Sequence, residues 1–222
     1  MATWMSHFRV ADYLINKLDV LEKEFIVGNI APDCGEPDEM RRKFNPPSNV
    51  THWTPSGYKR DIDSEAFYKI YLENYKALSK KKFSFYLGYY VHLLTDILFT
   101  KLIAVPKEDE FSKEFEENPD FIWTMKEDWY DIDHLYLKGN PEFYSFKVFS
   151  TVEDFPNEYL DYYSQRAMIK QIKYIIDFYK SHNGQGLDKV YKYLTPEEMD
   201  IFVAKACENV EKVLIEKGIL TK

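Results

Sequence analysis

With 222 residues, the chain has the length of one large domain or two small ones and can bury a sizeable core. Its 18 tyrosines and 16 phenylalanines against only 8 glycines, with no alternating Val/Ile/Thr blocks, argue against a β architecture and for an all-α one. A net charge of −8 argues against a broad nucleic-acid footprint or adsorption to an anionic membrane; it leaves room for a small phosphate-bearing substrate, because bound divalent cations reverse the local sign.

The opening MATWMSHFRV lacks a basic stretch followed by an apolar one, so no signal peptide is expected. No stretch of about 18 apolar residues is seen, so no membrane span is expected. Cys34 and Cys207 form no spacing motif and are read as free thiols. The default expectation is a cytoplasmic protein.

The first helix is expected from Ser6, as N-cap, to Leu18, with His7, Ala11, Leu14 and Leu18 on one face. The segment EFIVGNIAPD is a helix running into a turn at Pro32 and Asp33. Residues 34–60 are polar and rich in proline, a long loop of the kind that often carries function. From Ser64 helical spacing resumes, with Phe67, Ile70, Tyr71, Asn74, Tyr75 and Leu78 sharing a face. The most apolar helix is expected over 83–103, at the centre. Asn118 as cap and Pro119 as first helical residue open another. A long helix is expected over 157–182, stopped near Gly184, and Thr195 with Glu198 reads as a capping box for the last one. With no repeat and no linker, the expectation is one all-α domain over 1–222, an irregular bundle of about seven to nine helices.

The chemistry concentrates in the central helix, in the stretch YYVHLLTD (89–96). His92 and Asp96 are four residues apart on one helix face among Phe85, Tyr89, Phe99 and Ile103. A buried carboxylate needs neutralising, either by bonding to His92 or by a metal. Only five histidines exist, and His7, His52 and His92 all occupy apolar or loop-closing settings, while Asp33 ends an apolar run. Such residues scattered along a chain converge most naturally on a metal, and imidazoles with carboxylates suit Zn²⁺, one or two ions, ahead of Fe, Mn or Ni.

The ordered pieces HFRVADYL, FIVGNIAPD, THW and YLGYYVHLLTD, each with its His or Asp, resemble the zinc-dependent phospholipase C family over about residues 6–100. That family shares its helical fold with single-strand-specific nucleases. The resemblance implies that Asp33, His52, His92 and Asp96 bind one zinc, and that Asp96 bridges to a second metal also held by His7. It further implies that water held among the metals attacks phosphorus, with Asp33 also acting as base. The chain departs from the family in three places. Trp4 is the only tryptophan near the start, whereas the family's secreted members use a mature N-terminal tryptophan amine as a ligand. Leu102 stands where the family has a histidine, and the later His-xxx-Glu pair has no counterpart.

DWYDIDHLYL (128–137) crowds Asp128, Asp131, Asp133 and His134 into one segment. It is either a solvated acidic face or the place from which Asp131 or His134 completes the second metal's shell. Cys34 reads as a buried thiol and His182 as an exposed turn residue. Arg41 and Arg42, in the loop that returns to His52, are candidates to reach a substrate phosphate. The expectation is a zinc-dependent phosphoric-ester hydrolase acting on a small phosphate ester or a lipid head group. The alternatives are an intracellular nuclease or phosphodiesterase of the same fold, and a metal-binding helical protein that catalyses nothing.

Overall fold

The computed structural model describes residues 1–39, 43–57 and 60–221. Arg41 and Arg42 lie outside them. The chain is all-α, as its composition predicts. Among the described residues the longer helices are α1 (Trp4–Ile15), α2 (Glu22–Ile30), α4 (Ser64–Tyr71), α5 (Lys80–Phe99), α8 (Phe121–Gly139), α10 (Ala167–Ser181) and α11 (Pro196–Glu216). Four short ones, α3 (Ser48–Thr51), α6 (Val105–Glu110), α7 (Ser112–Glu117) and α9 (Tyr144–Ser150), raise the number above the seven to nine expected. The long loop holds a two-stranded antiparallel ribbon, β1 (Glu36–Pro37) with β2 (Phe44–Asn45).

α5 is the central element. Fourteen of its residues from Ser84 to Phe99 are buried, His92, Thr95 and Asp96 among them. After Phe99 the helix widens into a π-turn over Thr100–Ala104 and continues as α6. Against the expectation of no membrane span, the whole run Lys80–Glu110 is long and apolar enough to cross a membrane by length and composition. Most of its apolar window is buried inside the fold, as in the core helix of a bundle.

α2 crosses α5 with backbone against backbone. A Cβ on Gly28 would lie 2.1 Å from the Phe85 carbonyl oxygen, and one on Gly88 would lie 2.1 Å from that of Phe25. No other residue type fits at either position. The close approach lets the Asn29 side chain donate to the Gly88 carbonyl at 3.2 Å.

Several boundaries differ from the sequence expectation. The first helix begins at Trp4 because Thr3, not Ser6, is its N-cap; the Thr3 hydroxyl accepts the Ser6 N–H, and Ser6 is buried inside the helix. Asn118 caps a turn through the Asp120 N–H, so α8 starts only at Phe121. Ile70 is 65% exposed and does not join the inner face of α4. Of the helix expected over 157–182, the first ten residues, 157–166, are irregular and α10 starts only at Ala167. Asn157 takes over there: its amide donates to the carbonyls of Leu160 and Tyr163, and its oxygen accepts from the N–H groups of Tyr159 and Leu160. A buried asparagine that satisfies four backbone groups competes directly with a helical ladder. Leu160 and Tyr163 are buried all the same. The capping box of Thr195 and Glu198 is present as expected.

Since each glycine abuts a carbonyl rather than a flexible side chain, Gly88→Ala or Gly28→Ala should cost about 2 kcal/mol or more, the upper part of the range for overpacking a core. Urea unfolding of the metal-free protein measures this as a lowered midpoint.

Candidate metal centre

Five side chains from four stretches meet at the inner face of α5. His7 comes from α1, Asp33 from the 3₁₀ turn after α2, His52 from the C-cap of α3, and His92 and Asp96 from α5 itself. Those named from the sequence as principal ligands are the ones the fold gathers. Two overlapping sets have all their ligand atoms within 4.8 Å of one another: His7, His92 and Asp96, and Asp33, His52 and His92.

The spacing is that of a coordination shell. His52 Nε2 lies 3.3 Å from Asp33 Oδ1, 3.3 Å from His92 Nε2 and 3.6 Å from Asp96 Oδ2; His92 Nε2 lies 3.4 Å from Asp96 Oδ2. A zinc tetrahedron with bonds of roughly 2.0–2.1 Å has edges of about 3.4 Å. Asp96 turns its other oxygen, Oδ1, toward His7 Nε2 at 3.4 Å. The carboxylate therefore stands between the two sets.

The tautomers follow from what lies behind each ring. His92 Nδ1 faces the Asn29 carbonyl at 2.8 Å, and His52 Nδ1 faces the Ser48 carbonyl at 3.2 Å and the Thr51 hydroxyl at 3.0 Å. A carbonyl only accepts, so in the neutral rings each Nδ1 carries the hydrogen, and the two Nε2 lone pairs point at each other across 3.3 Å. Two facing lone pairs repel unless a cation or a proton sits between them. His7, stacked on His92 with ring centroids 3.7 Å apart, has neither nitrogen hydrogen-bonded, and Asp96 Oδ2 is likewise without a hydrogen bond. These orphaned buried atoms fit a cation-binding site.

The ionisation states agree with this. Burial, helped by the neighbouring His92, pulls His7 down to about 4, so it is neutral and able to ligate near pH 7. Burial works against ionising Asp96, yet His92 and His7 outweigh it and hold the carboxyl well below the usual range. Burial likewise opposes ionisation of Asp33, and His52 and His92 overcome it. For His92 burial favours the neutral ring, but Asp96 raises its affinity for a proton. A bound cation takes over that proton's role toward the two carboxylates.

Asp131 and His134 are not brought to this cluster. Asp131 pairs with Lys189 at 2.6 Å, and His134 stacks on His182 at 4.0 Å between centroids. They lie on other faces of α8 than Asp133, which points into the core. Asp133 accepts from the Thr3 hydroxyl at 2.7 Å and from the Tyr179 hydroxyl at 2.8 Å. Burial pushes its carboxyl up to about 7 against the pull of those bonds. Cys34 is buried as expected. His182 is half-buried rather than open, with its Nδ1 accepting the Gly184 N–H.

Sequence reasoning missed the residues that orient the ligands. Trp4 serves through its indole, donating to Asp33 Oδ2 at 2.9 Å, and the Ala2 N–H donates to Asp96 Oδ1 at 2.7 Å. Asn29 was visible as the lone amide within the apolar run FIVGNI. Thr51 and Ser48 gave no signal, because their partner ring is fixed only by the turn that closes α3. Trp53, next to His52, holds a left-handed φ of 53°, which costs a non-glycine residue about 1–2 kcal/mol.

Two outcomes test the centre. Zinc at about 100 times its dissociation constant should stabilise the protein by ~2.7 kcal/mol in thermal or urea unfolding, and His92→Ala should abolish that gain. Asp133 gives a separate pH dependence. It holds its proton more tightly folded than unfolded, so the stability it contributes is complete below its ordinary value near 3.8 and is lost as pH rises to about 7. Relative to the parent, metal-free Asp133→Asn should therefore gain stability steadily from about pH 4 to 7 and then level off.

No curated protein and no solved structure matches the chain. A protein-family model does: residues 6–99, which contain His7, Asp33, His52, His92 and Asp96, match that of zinc dependent phospholipase C.

Proposed function

We propose that the protein is a zinc-dependent hydrolase of phosphoric esters, with a small phosphodiester or a lipid head group as substrate. The observation that carries this reading is the pair of overlapping ligand sets joined by the two oxygens of Asp96. Such a site suits an anionic ester, because closely spaced cations offset its charge. The family match over the same residues supports a phospholipase-like hydrolase.

Zinc, when bound, supplies Lewis acidity toward a phosphoryl oxygen and lowers the pKa of an attacking water. The protein's own groups do the rest. Four of the five ligand side chains are essentially fully buried, whereas the Asp33 carboxylate is 13% exposed. The reacting ester thus approaches over Asp33. With its pKa held low, Asp33 is a weak base; its role is to accept a hydrogen bond from water and aim it, while Trp4 fixes its other oxygen. His7, neutral and otherwise unpaired, offers a nitrogen to the second set.

One observation favours a second reading, a metal-binding protein without turnover. His52 Nε2 lies within 3.3–3.6 Å of an atom of each of Asp33, His92 and Asp96, so four side chains could close one shell, and a closed four-ligand shell is the mark of a structural zinc. Metal analysis with a panel of chromogenic phosphodiesters and phosphomonoesters separates the two. The hydrolase reading expects turnover that disappears together with zinc in His92→Ala and Asp96→Asn. One tightly held zinc with no turnover on any ester supports the structural reading, and hydrolysis that survives both substitutions refutes the assigned site.

A further inference from the structure

The first turn of the chain touches the centre from an unexpected direction. Ala2 and Trp4 each take one oxygen of a different carboxylate: the Ala2 N–H binds Asp96 Oδ1, and the Trp4 indole binds Asp33 Oδ2. The oxygens left over, Asp96 Oδ2 and Asp33 Oδ1, are the two that face His52 Nε2, at 3.6 and 3.3 Å. The alternate residues, Thr3 and Met5, are tied on the far side. Thr3 donates its hydroxyl to Asp133 Oδ1, and the Met5 N–H donates to the Tyr179 hydroxyl, which itself donates to Asp133 Oδ2. Thr3, Asp133 and Tyr179 are all buried. None of the three belongs to either ligand set.

We propose that residues 2–5 form a clip that sets the orientation of both carboxylates, aiming Asp96 Oδ2 and Asp33 Oδ1 at His52 while Asp96 Oδ1 stays beside His7, and that Asp133 and Tyr179 are the positioning residues that hold the clip shut. For the buried Asp133 carboxylate the cost of burial outweighs its two hydroxyl donors, the Met5 N–H and the attraction of Arg9, so it is costly to keep, and a core this apolar would accept an uncharged residue there. What the carboxylate supplies that an amide does not is two acceptor oxygens, one for each anchor of the clip. Without them Thr3 or Tyr179 loses its partner, the turn loosens, and Asp96 and Asp33 become free to rotate. Partners at this remove from a metal commonly change its affinity by 10–100-fold.

This inference rests on the zinc reading of the centre, and the experiment separates the two. Zinc affinity is measured by competition with a chelator, and zinc-free stability by urea unfolding, for the parent, Thr3→Val, Thr3→Ser and Asp133→Asn. Thr3→Val and Asp133→Asn should bind zinc ~10-fold or more weakly, while Thr3→Ser, which keeps the hydroxyl, stays within about twofold of the parent. Zinc-free Asp133→Asn should unfold at no lower urea than the parent near neutral pH, a result opposite to that of a merely structural role, which lowers both quantities together. Affinities of Thr3→Val and Asp133→Asn within about twofold of the parent overturn the clip and leave the zinc site standing. Thr3→Ser as weak as Thr3→Val also overturns it. A parent that takes up no zinc refutes the site and the clip together. If Asp133→Asn does not fold, the Thr3 pair decides alone.

Discussion

The contact between Gly28 and Gly88 is the constraint on which the rest depends. Two helices usually stand 8–10 Å apart, separated by their side chains. Here the backbones of α2 and α5 touch, because a Cβ at either crossing residue would collide with a carbonyl of the other helix. That approach brings the Asn29 carbonyl within 2.8 Å of His92 Nδ1, one helical turn beyond Gly88. It also carries the end of α2 so close to α5 that Asp33 can share a shell with His92. A wider crossing would leave His92 free to choose its tautomer and would move Asp33 out of range.

The centre is organised by what stands behind its ligands. Each imidazole of the Asp33 set is fixed by a carbonyl, and each carboxylate has one oxygen taken by an N–H donor of the first turn. The inward-facing atoms are then those with nothing else to bond. This preorganisation is electrostatically unfavourable in the absence of a cation: two carboxylates are buried or nearly so, and two lone pairs face each other. Binding a divalent ion relieves both problems, so metal affinity and folding are coupled. The buried carboxylate of Asp133 adds a further cost nearby, and its two anchors explain why the fold tolerates it.

Much of this was legible in the sequence. The i,i+4 spacing of His92 and Asp96 within an apolar helix, and the apolar settings of His7, His52 and Asp33, point to all five clustered residues, and the order of the surrounding pieces carries the resemblance to zinc-dependent phospholipase C over the segment that the family model matches. The all-α class follows from composition. What escaped depends on tertiary contacts. Periodicity could not reveal that Asn157 would claim four backbone groups and break the expected long helix. It could not distinguish Asp133 from Asp131 and His134, because the latter pair, three residues apart, shares one side of the helix and Asp133 another, and only packing against Thr3 and Tyr179 shows that Asp133 points inward. Nor could it show that Thr3 rather than Ser6 caps the first helix, since the Thr3 hydroxyl is held by a partner 130 residues away.

The unequal burial of the ligands has a kinetic consequence. His7, His52, His92 and Asp96 are sealed by the core, and Asp33 alone borders solvent. A bound ion would be reached first over Asp33, and a chelator would meet that carboxylate before any other ligand. Exchange would then depend on Asp33 swinging aside, a motion opposed by its hydrogen bond to Trp4. Residence time of the ion would thus vary with one exposed carboxylate and could change independently of equilibrium affinity.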